Sequence, residues 1–366
     1  MRILFCGGGT AGHVTPAIAM AEIMLRARPD CEVAFVGRSG GNENRSIVKE
    51  GYRLYTIDIM GIKRSLSFRN ISAIIKVIKS GRMAKEIISE FSPDIVIGTG
   101  GYVCYPVIRA AQRLHIPTMI HESNVYPGLV TRLLGGKCTR LLLNSEGTKG
   151  HLKHTENTLV IGNPLRTSFS SVSRDDARKR LGIGRNNFLV LSFGGSLGSE
   201  VMNERIIELM RGYSSARDNV SHVHATGISH YGEIRSREPA LCSGANGCRI
   251  LPYIDDMPSY LKAADLVICR SGAMTVSELA LVGVASILIP SPNVSENHQY
   301  TNAKYVSDRG AALMIEERDL SLESLAQAVE RVRTDSASRR KMAEKMRRLS
   351  RLDTAKLLVR AVNEAI

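Results

Sequence analysis

Three short glycine-rich turns hold the residues best suited to bind an anionic ligand. They span residues 7–13, 98–102 and 194–198, and each follows an apolar run that is typical of a β-strand. Glycine lets the backbone approach a ligand closely, and the unpaired amide groups at a helix N-terminus attract phosphate. One such turn would be weak support, but three along the chain favour a ligand that carries a diphosphate.

The first turn leaves other interpretations to weigh. Its glycines match the G-x-G-x-x-G pattern of dinucleotide-binding folds, but the next strand-like run ends Val36-Gly37-Arg38 and offers no acid for a ribose. A nucleoside-triphosphate loop requires lysine where this chain has His13. A tight strand-to-helix turn that binds nothing stays an alternative.

Two side chains near such turns could take part in chemistry or recognition. His13 could act as a general base or hold a phosphate, because imidazole exchanges protons near neutral pH; packing or capping of the turn is the alternative. Glu278 closes a segment of small and hydroxyl residues, 270–278, and could accept both hydroxyls of a ribose, unless it is a solvated helix residue. The sequence contains no Asp-x-Asp, and Asp255-Asp256 precede a helical segment that one of them is expected to cap, so no metal site is predicted.

The elements that must position these residues alternate in two series. Strand-like runs occupy Arg2–Cys6, Glu32–Val36, Ile95–Ile97, Thr118–His121 and Arg140–Asn144, and then Phe188–Phe193, His222–Ala225, Arg249–Leu251, Leu266–Cys269 and Ser286–Ile289. With helix-length segments between the strands, this alternation predicts an α/β protein with two doubly wound, Rossmann-like domains and a ligand in the interdomain cleft. We place the domains at residues 1–165 and 166–349, with a C-terminal helix near 350–366 that could pack back on the first.

Charge and composition restrict the partners and the compartment. The net charge of the 366 residues is +14, and residues 1–165 hold 21 Lys/Arg against 12 Asp/Glu, which predicts an anionic partner. The lack of Trp, the 5% aromatic content and the absence of a known motif argue against nucleic acid. The 7 cysteines form no CxxC pair and are expected to be reduced and buried. The N-terminus resembles no signal peptide, and the apolar stretch from Leu279 to Pro290 is too short to span a bilayer, so we expect a cytoplasmic protein with peripheral membrane contact.

Eight motifs, in order, give a family resemblance that covers essentially the whole chain. They are GGGTAGHVTPAIA at 7–19, GTGGYVCYP at 98–106, HESNVYPGL at 121–129, GNPLR at 162–166, GGSLGS at 194–199, YIDDM at 253–257, RSGAMTVSE at 270–278 and ENHQYTNA at 296–303. The chain resembles the inverting, GT-B-fold N-acetylglucosaminyltransferases of peptidoglycan synthesis. The resemblance implies transfer of GlcNAc from UDP-GlcNAc to the muramyl 4-hydroxyl of lipid I (undecaprenyl-pyrophosphoryl-MurNAc-pentapeptide), giving lipid II, without a cofactor.

The resemblance also implies site residues. His13 is the candidate catalytic base, Ser196 and its turn would hold the diphosphate, and Glu278 would take the ribose. The implied set for UDP-GlcNAc is Thr10, Ala11, Gly12, Asn124, Arg166, Ser196, Ile254, Ala273, Met274, Thr275, Val276, Ser277, Glu278 and Gln299, and the implied set for the acceptor is Gly9, Gly100, Gly101 and Tyr102. In this set Ile254 would offer its backbone to the uracil, while Asn124 and Gln299 would hold sugar hydroxyls.

Three positions depart from the family's pattern. Ala11 stands where glycine is frequent, which narrows the backbone freedom of the first turn. Ser123 and His298 stand where glutamines are common, and His298 leaves the partner of one donor hydroxyl open. None of the three removes a motif.

Residues 61–90 are the predicted contact with an anionic membrane surface at the cytoplasmic face. They hold seven basic residues and an isoleucine stripe on one helical face: Lys63, Arg64, Arg69, Lys76, Lys79, Arg82 and Lys85, with Ile71, Ile74, Ile75 and Ile78. An apolar stripe edged by cations suits acidic lipid, although a core-facing helix with a solvated back has the same pattern. Partners could also include other proteins of cell-wall synthesis and division.

Three other activities stay open from the sequence. A glycosyltransferase for another lipid, such as diacylglycerol, would share the fold, and only an acceptor assay separates it. A UDP-sugar epimerase would turn over UDP-GlcNAc without any lipid. A non-catalytic nucleotide-sugar binder, or a scaffold for wall synthesis, would bind UDP-GlcNAc without turnover.

Overall fold

The chain divides into two compact units, which are described separately. The computed structural model describes residues 1–41, 44–59, 69–166, 169, 172–212, 219–244 and 247–366, with the backbone alone for residues 11 and 69–78. Unit 1 comprises Met1–Arg166 with Arg351–Ile366, and unit 2 comprises Thr167–Ser350.

Unit 1 contains a seven-stranded parallel sheet. Its strands are β1 (Arg2–Cys6), β2 (Glu32–Arg38), β3 (Arg53–Ile57), β4 (Ile95–Gly98), β5 (Thr118–Glu122), β6 (Arg140–Leu143) and β7 (Thr158–Val160), in the order β3-β2-β1-β4-β5-β6-β7. Its first five helices are α1 (Ala11–Ala27), α2 (Asn44–Lys49), α3 (Arg69–Phe91), α4 (Cys104–Arg113) and α5 (Leu129–Leu134). A parallel sheet needs helical crossovers, which cover both of its faces and explain why the central strands are continuously apolar.

Alternation along β1 shows how the two faces are used. Ile3 and Phe5 point to the face that α1 covers, and Leu4 points to the face that holds Phe91 of α3 and Val107 of α4. Successive strand residues face opposite sides, so each apolar strand contributes to two cores. All five of these side chains are fully buried.

Unit 2 repeats this architecture with a six-stranded parallel sheet. Its strands are β8 (Phe188–Phe193), β9 (Val220–Ala225), β10 (Cys248–Leu251), β11 (Leu266–Cys269), β12 (Ala285–Leu288) and β13 (Leu313–Met314), in the order β10-β9-β8-β11-β12-β13. Its helices are α6 (Arg174–Arg180), α7 (Glu200–Gly212), α8 (Ile228–Arg237), α9 (Pro239–Cys242), α10 (Met257–Ala263), α11 (Ala273–Val282), α12 (His298–Ser307), α13 (Leu322–Thr334) and α14 (Ser336–Arg347). The predicted class, two doubly wound α/β domains, is confirmed.

The last helix, α15 (Thr354–Ala365), belongs to unit 1. Its buried residues Leu358 and Val362 join the core beneath α1, and the hydroxyl of Thr354 donates to the Ile161 carbonyl at 2.6 Å. The C-terminal segment therefore fills a face of the first sheet.

Each sheet has one point where the strand order reverses. In unit 1 this point lies between β1 and β4, and in unit 2 between β8 and β11. The connections that leave two such strands go to opposite faces of the sheet, so a crevice opens at their carboxyl ends, where α/β proteins bind ligands. All three glycine-rich turns and the segment before α11 follow these four strands.

Candidate functional site

The first two glycine turns pack against each other at the carboxyl ends of β1 and β4. The Gly8 amide donates to the Gly100 carbonyl at 3.4 Å, and the Thr99 amide donates to the Cys6 carbonyl at 2.9 Å. Gly101 has φ +81°, and a Cβ there would lie 1.9 Å from the Gly8 carbonyl oxygen. Only glycine satisfies both the conformation and the contact.

Thr99 fixes His13 at two points. The buried Thr99 hydroxyl donates to the His13 carbonyl at 2.7 Å, while the Thr99 carbonyl lies 3.2 Å from His13 Nδ1. A carbonyl can only accept, so Nδ1 carries the proton of the neutral ring and Nε2 does not. This tautomer is the one that a general base acting through Nε2 requires.

The start of α1 lies at the same edge. Gly9 has φ +90°, Thr10, the N-cap residue, has an extended backbone, and both Thr10 and Gly12 are exposed. Within the described part of the chain, the Thr10 side chain makes no capping hydrogen bond. The backbone N–H groups at a helix start attract an anion, and the helix dipole strengthens this attraction.

Asn124 is held by a buried acid that sequence reasoning missed. Glu122, the last residue of β5, accepts from the Asn124 amide at 3.0 Å and from its side-chain nitrogen at 3.2 Å. Its other oxygen accepts from the Gly128 amide at 2.8 Å and the Thr131 hydroxyl at 2.7 Å. One carboxylate therefore fixes the whole loop between β5 and α5. The sequence feature that could have indicated this role is an acidic residue at the end of a predicted strand.

Arg166 forms ion pairs within unit 1. Its guanidinium contacts Glu50 and lies 3.4 Å from Glu22 of α1. The predicted donor-binding residues thus belong to two groups. Thr10, Ala11, Gly12, Asn124 and Arg166 lie in unit 1, and Ser196, Ile254, Ala273–Glu278 and Gln299 lie in unit 2.

The third glycine turn follows β8 in unit 2. Gly195 has φ +93°, Ser196 is exposed, and a Cβ on Gly198 would lie 1.9 Å from the Thr226 carbonyl oxygen. The turn therefore packs directly against the end of β9, and the Ser196 side chain is exposed to solvent.

Arg270 joins this turn to the segment after β11. Its guanidinium donates to the Ser199 hydroxyl at 2.6 Å and the Ile289 carbonyl at 3.1 Å, and it forms an ion pair with Glu317. Sequence reasoning gave Arg270 no role, because nothing in the pattern shows that a residue after β11 contacts one after β8.

The N-terminus of α11 lies beside Gln299. The Ser271 hydroxyl donates to the Gln299 carbonyl at 2.7 Å, and Gln299 Oε1 accepts from the Ser291 amide at 2.9 Å. Gly272, the N-cap residue, has no side chain with which to cap the helix. The fold thus brings Gln299 to the helix start that carries Ala273–Ser277.

Glu278 is half-buried, and Ile254 packs in an apolar core of the same unit. Burial raises the pKa of Glu278 to about 7. A carboxyl that is removed from water gains most from a ligand that donates hydrogen bonds to its ionised form. Ile254 is buried, and Asp256 accepts from the Ser259 amide at 3.3 Å, which confirms the predicted N-cap of α10.

The predicted membrane-facing stripe falls partly outside the described residues. Lys63 and Arg64 lie outside them, as do the side chains of residues 69–78. The helix itself is α3, and in its described part Arg82 pairs with Glu86 at 3.5 Å on the exposed surface. The stripe stays a prediction.

Sequence and structure comparisons agree along the whole chain. The glycosyltransferase family 28 N-terminal domain model matches residues 3–143, and the glycosyltransferase family 28 C-terminal domain model matches residues 189–358. A curated relative from Caldanaerobacter subterraneus is 38% identical over 97% of both chains, and one from Bacillus subtilis is 34% identical over 100% of this chain and 99% of its own. Both are named UDP-N-acetylglucosamine–N-acetylmuramyl-(pentapeptide) pyrophosphoryl-undecaprenol N-acetylglucosamine transferase.

A solved structure extends this agreement to three dimensions. The crystal structure of MurG from Acinetobacter baumannii is similar with a TM-score of 0.77 and 27% identity, covering 99% of both chains. The chain, with its two doubly wound units and a glycine turn at each reversal of strand order, belongs to the N-acetylglucosamine transferases of glycosyltransferase family 28.

Proposed function

We propose that this chain transfers GlcNAc from UDP-GlcNAc to the 4-hydroxyl of MurNAc in lipid I, with inversion at the anomeric carbon, to give lipid II. The relatives at 34–38% identity carry the name of this activity over nearly their full length. The observation that carries the proposal is the position of the glycine-rich turns at both reversal points, two in unit 1 and one in unit 2, with His13 on the first of them.

Unit 2 is proposed to bind the donor. The amides of Gly194–Ser199 and the N-terminus of α11 suit the diphosphate, because both present backbone N–H groups to an anion without a metal ion. Glu278 accepts the ribose hydroxyls, Ile254 offers its backbone to the uracil, and Gln299 holds a sugar hydroxyl. Thr10, Ala11, Gly12, Asn124 and Arg166 complete the proposed donor set from unit 1.

Unit 1 is proposed to supply the base and to hold the acceptor's pyrophosphate at Gly9, Gly100, Gly101 and Tyr102. His13 Nε2 takes the proton of the muramyl 4-hydroxyl as its oxygen attacks the anomeric carbon. The bond from that carbon to the diphosphate oxygen breaks, and UDP leaves with the electron pair. Backbone amides stabilise the charge that grows on the leaving group.

A lipid-linked acceptor requires the protein to reach a membrane surface. None of the described helices is long and apolar enough to cross one. We propose that the protein docks peripherally at the cytoplasmic face through the basic stripe in residues 61–90. Flotation with vesicles of acidic lipid at low salt tests this, and absence of binding would contradict it.

The activity is tested with labelled UDP-GlcNAc and a lipid I analogue. We expect the disaccharide lipid from the wild type, and a His13→Ala variant with a far lower kcat but near-normal affinity for UDP-GlcNAc. His154→Ala, which removes an exposed histidine of the same unit, is the matched control and should retain activity.

The outcomes separate the proposal from its rivals. Turnover of UDP-GlcNAc without lipid would indicate an epimerase, and binding without turnover would indicate a non-catalytic binder. Product formed on diacylglycerol but not on the lipid I analogue would indicate another lipid acceptor. Near-normal turnover by His13→Ala would refute the role of His13.

A further inference from the structure

A buried chain of polar side chains lies beneath the third glycine turn. Alternation places Ser192 of β8 and His222 and His224 of β9 on the face that α7 covers, and α7 carries Asn203. Ser192 Oγ lies 2.7 Å from His222 Nε2 and 2.8 Å from His224 Nδ1. His224 Nε2 lies 3.1 Å from Asn203 Oδ1, and all four residues are almost fully buried.

The far end of this chain fixes its hydrogen-bond direction. Asn203 Nδ2 donates to the Thr226 carbonyl at 3.1 Å, so Asn203 Oδ1 must accept from His224 Nε2. His224 Nδ1 then lacks a proton and accepts from the Ser192 hydroxyl at 2.8 Å, so the Ser192 carbonyl, which lies 3.2 Å from the same nitrogen and can only accept, forms no hydrogen bond with it. The Ser192 oxygen in turn accepts from His222 Nε2, so every donor in the chain points toward Thr226.

Burial keeps this arrangement in a single protonation state. It lowers the pKa of His224 to about 4 and holds the pKa of His222 well below its ordinary value. Both rings are therefore neutral near pH 7, as the one-way chain requires, since a second proton on His224 would face the Ser192 donor.

The chain ends where β9 contacts the glycine turn. The Thr226 carbonyl oxygen is the atom that a Cβ on Gly198 would meet at 1.9 Å, and a Cβ on Gly227 would lie 2.6 Å from both the Leu197 carbonyl oxygen and the Gly198 amide nitrogen. The backbone amide of Asn203 donates to the Ser199 carbonyl at 2.8 Å, which is the first helical hydrogen bond of α7 and ties this residue to the end of the turn. Asn203 thus joins both sides of the contact that sets the position of Gly195–Ser199.

We propose that Asn203 is a positioning residue for the Gly194–Ser199 turn. Its side-chain amide is oriented by the hydrogen bonds that lead from His222 through Ser192 and His224. These four buried side chains set the direction of the turn's backbone amides and do not contact the ligand themselves. This rests on the proposed function in one respect, namely that the turn binds the donor's diphosphate. A preorganised set of donors loses little entropy when an anion binds.

The test compares Asn203→Ala with Asn187→Ala. Asn187 donates to the Ser221 hydroxyl at 3.1 Å at the opposite end of the same strands, so its loss removes a similar hydrogen bond away from the turn. Calorimetry with UDP should show about tenfold weaker binding for Asn203→Ala, the size of one lost hydrogen bond with its desolvation. Asn187→Ala should bind UDP as the wild type does.

Two further readouts separate positioning from general instability. In the transfer assay, Asn203→Ala should raise KM for UDP-GlcNAc and leave KM for the lipid I analogue unchanged, whereas partial unfolding would lower the apparent kcat alone. Amide hydrogen exchange without ligand should be faster at residues 195–199 in this variant. Ser192→Ala, which interrupts the chain but retains Asn203, should give a smaller shift in the same direction.

The outcomes are decisive in either direction. Unchanged exchange at residues 195–199 and unchanged UDP affinity in folded Asn203→Ala would overturn the positioning role. If Asn203→Ala fails to fold, Ser192→Ala decides by the same two measurements. A wild type that bound no UDP would instead overturn the proposed function, while the ligand-free exchange comparison would still decide the role of Asn203.

Discussion

Glu278 should make donor binding depend on pH near neutrality, and Glu278→Gln should remove that dependence. Burial raises the pKa of this carboxyl to about 7, so near that pH the free protein holds it about half protonated. Ribose hydroxyls that donate to it favour the ionised form and lower its pKa in the complex. Affinity for UDP-GlcNAc should therefore rise as pH increases through 7.

The magnitude follows from the two protonation states. If the complex contains only the carboxylate, the apparent Kd should fall about tenfold between pH 6 and pH 8, and binding at pH 7 should release about half a proton. Glutamine keeps the shape but cannot ionise, so the variant should bind with a constant, weaker affinity across this range.

The pH dependence of folding stability gives an independent check, because its sign is opposite to that of the donor affinity. The folded pKa lies above the ordinary carboxyl value of 4.5, so the folded state is favoured at low pH and loses stability as pH rises from 4.5 to about 7. Above that range the ionised carboxyl costs at most about 3 kcal/mol, reduced by the partial exposure of the side chain. Glu278→Gln should thus raise the unfolding midpoint at pH 8 more than at pH 5.

The assay is calorimetry with UDP-GlcNAc at pH 6, 7 and 8 in buffers of different ionisation enthalpy, which counts released protons. UDP-GlcNAc is preferred to UDP because its diphosphate is esterified at both ends and does not titrate in this range. Glu323→Gln, on an exposed residue of α13, is the control for a lost charge. A wild-type affinity independent of pH, or a Glu278→Gln variant that keeps the wild-type slope, would refute the reasoning.

Two substitutions in unit 1 test the interlocked turns and the loop that carries Asn124. Gly101→Ala should lower the thermal midpoint and the activity far more than Gly51→Ala. Both glycines have positive φ, which alone costs an alanine about 1–2 kcal/mol, but only Gly101 has a backbone atom 1.9 Å from its Cβ position. Equal thermal midpoints for the two variants would contradict the packing argument. Glu122→Ala leaves four donors without their acceptor, so we expect a loss of about 1–3 kcal/mol, faster amide exchange at residues 123–128 and reduced transfer. Glu146→Ala, which removes an exposed ion pair with Lys149, should change stability and amide exchange little. Similar amide exchange in Glu122→Ala and Glu146→Ala would count against Glu122 as the residue that holds the loop.

The strands that sequence patterns missed share one property. β3, β7 and β13 were not predicted, and each is an edge strand of its sheet. Their side chains are mostly only half-buried, and β13 has just two residues. An edge strand contacts one neighbour and less of the core, so its apolar signal is weak. The central strands, buried on both faces, were predicted to within two residues at each end.

The sequence by itself determined the repeated strand-helix alternation, the positions of the glycine turns and their chemistry, because apolar runs and glycines act locally. Only the tertiary structure decided which turns meet. Strand order brings the end of β1 to β4 and the end of β8 to β11, and with them Thr99 to His13 and Arg270 to Ser199. Glu122 and Asn203 act through partners that folding supplies, and the pKa of Glu278 depends on burial, which is a property of the packed domain.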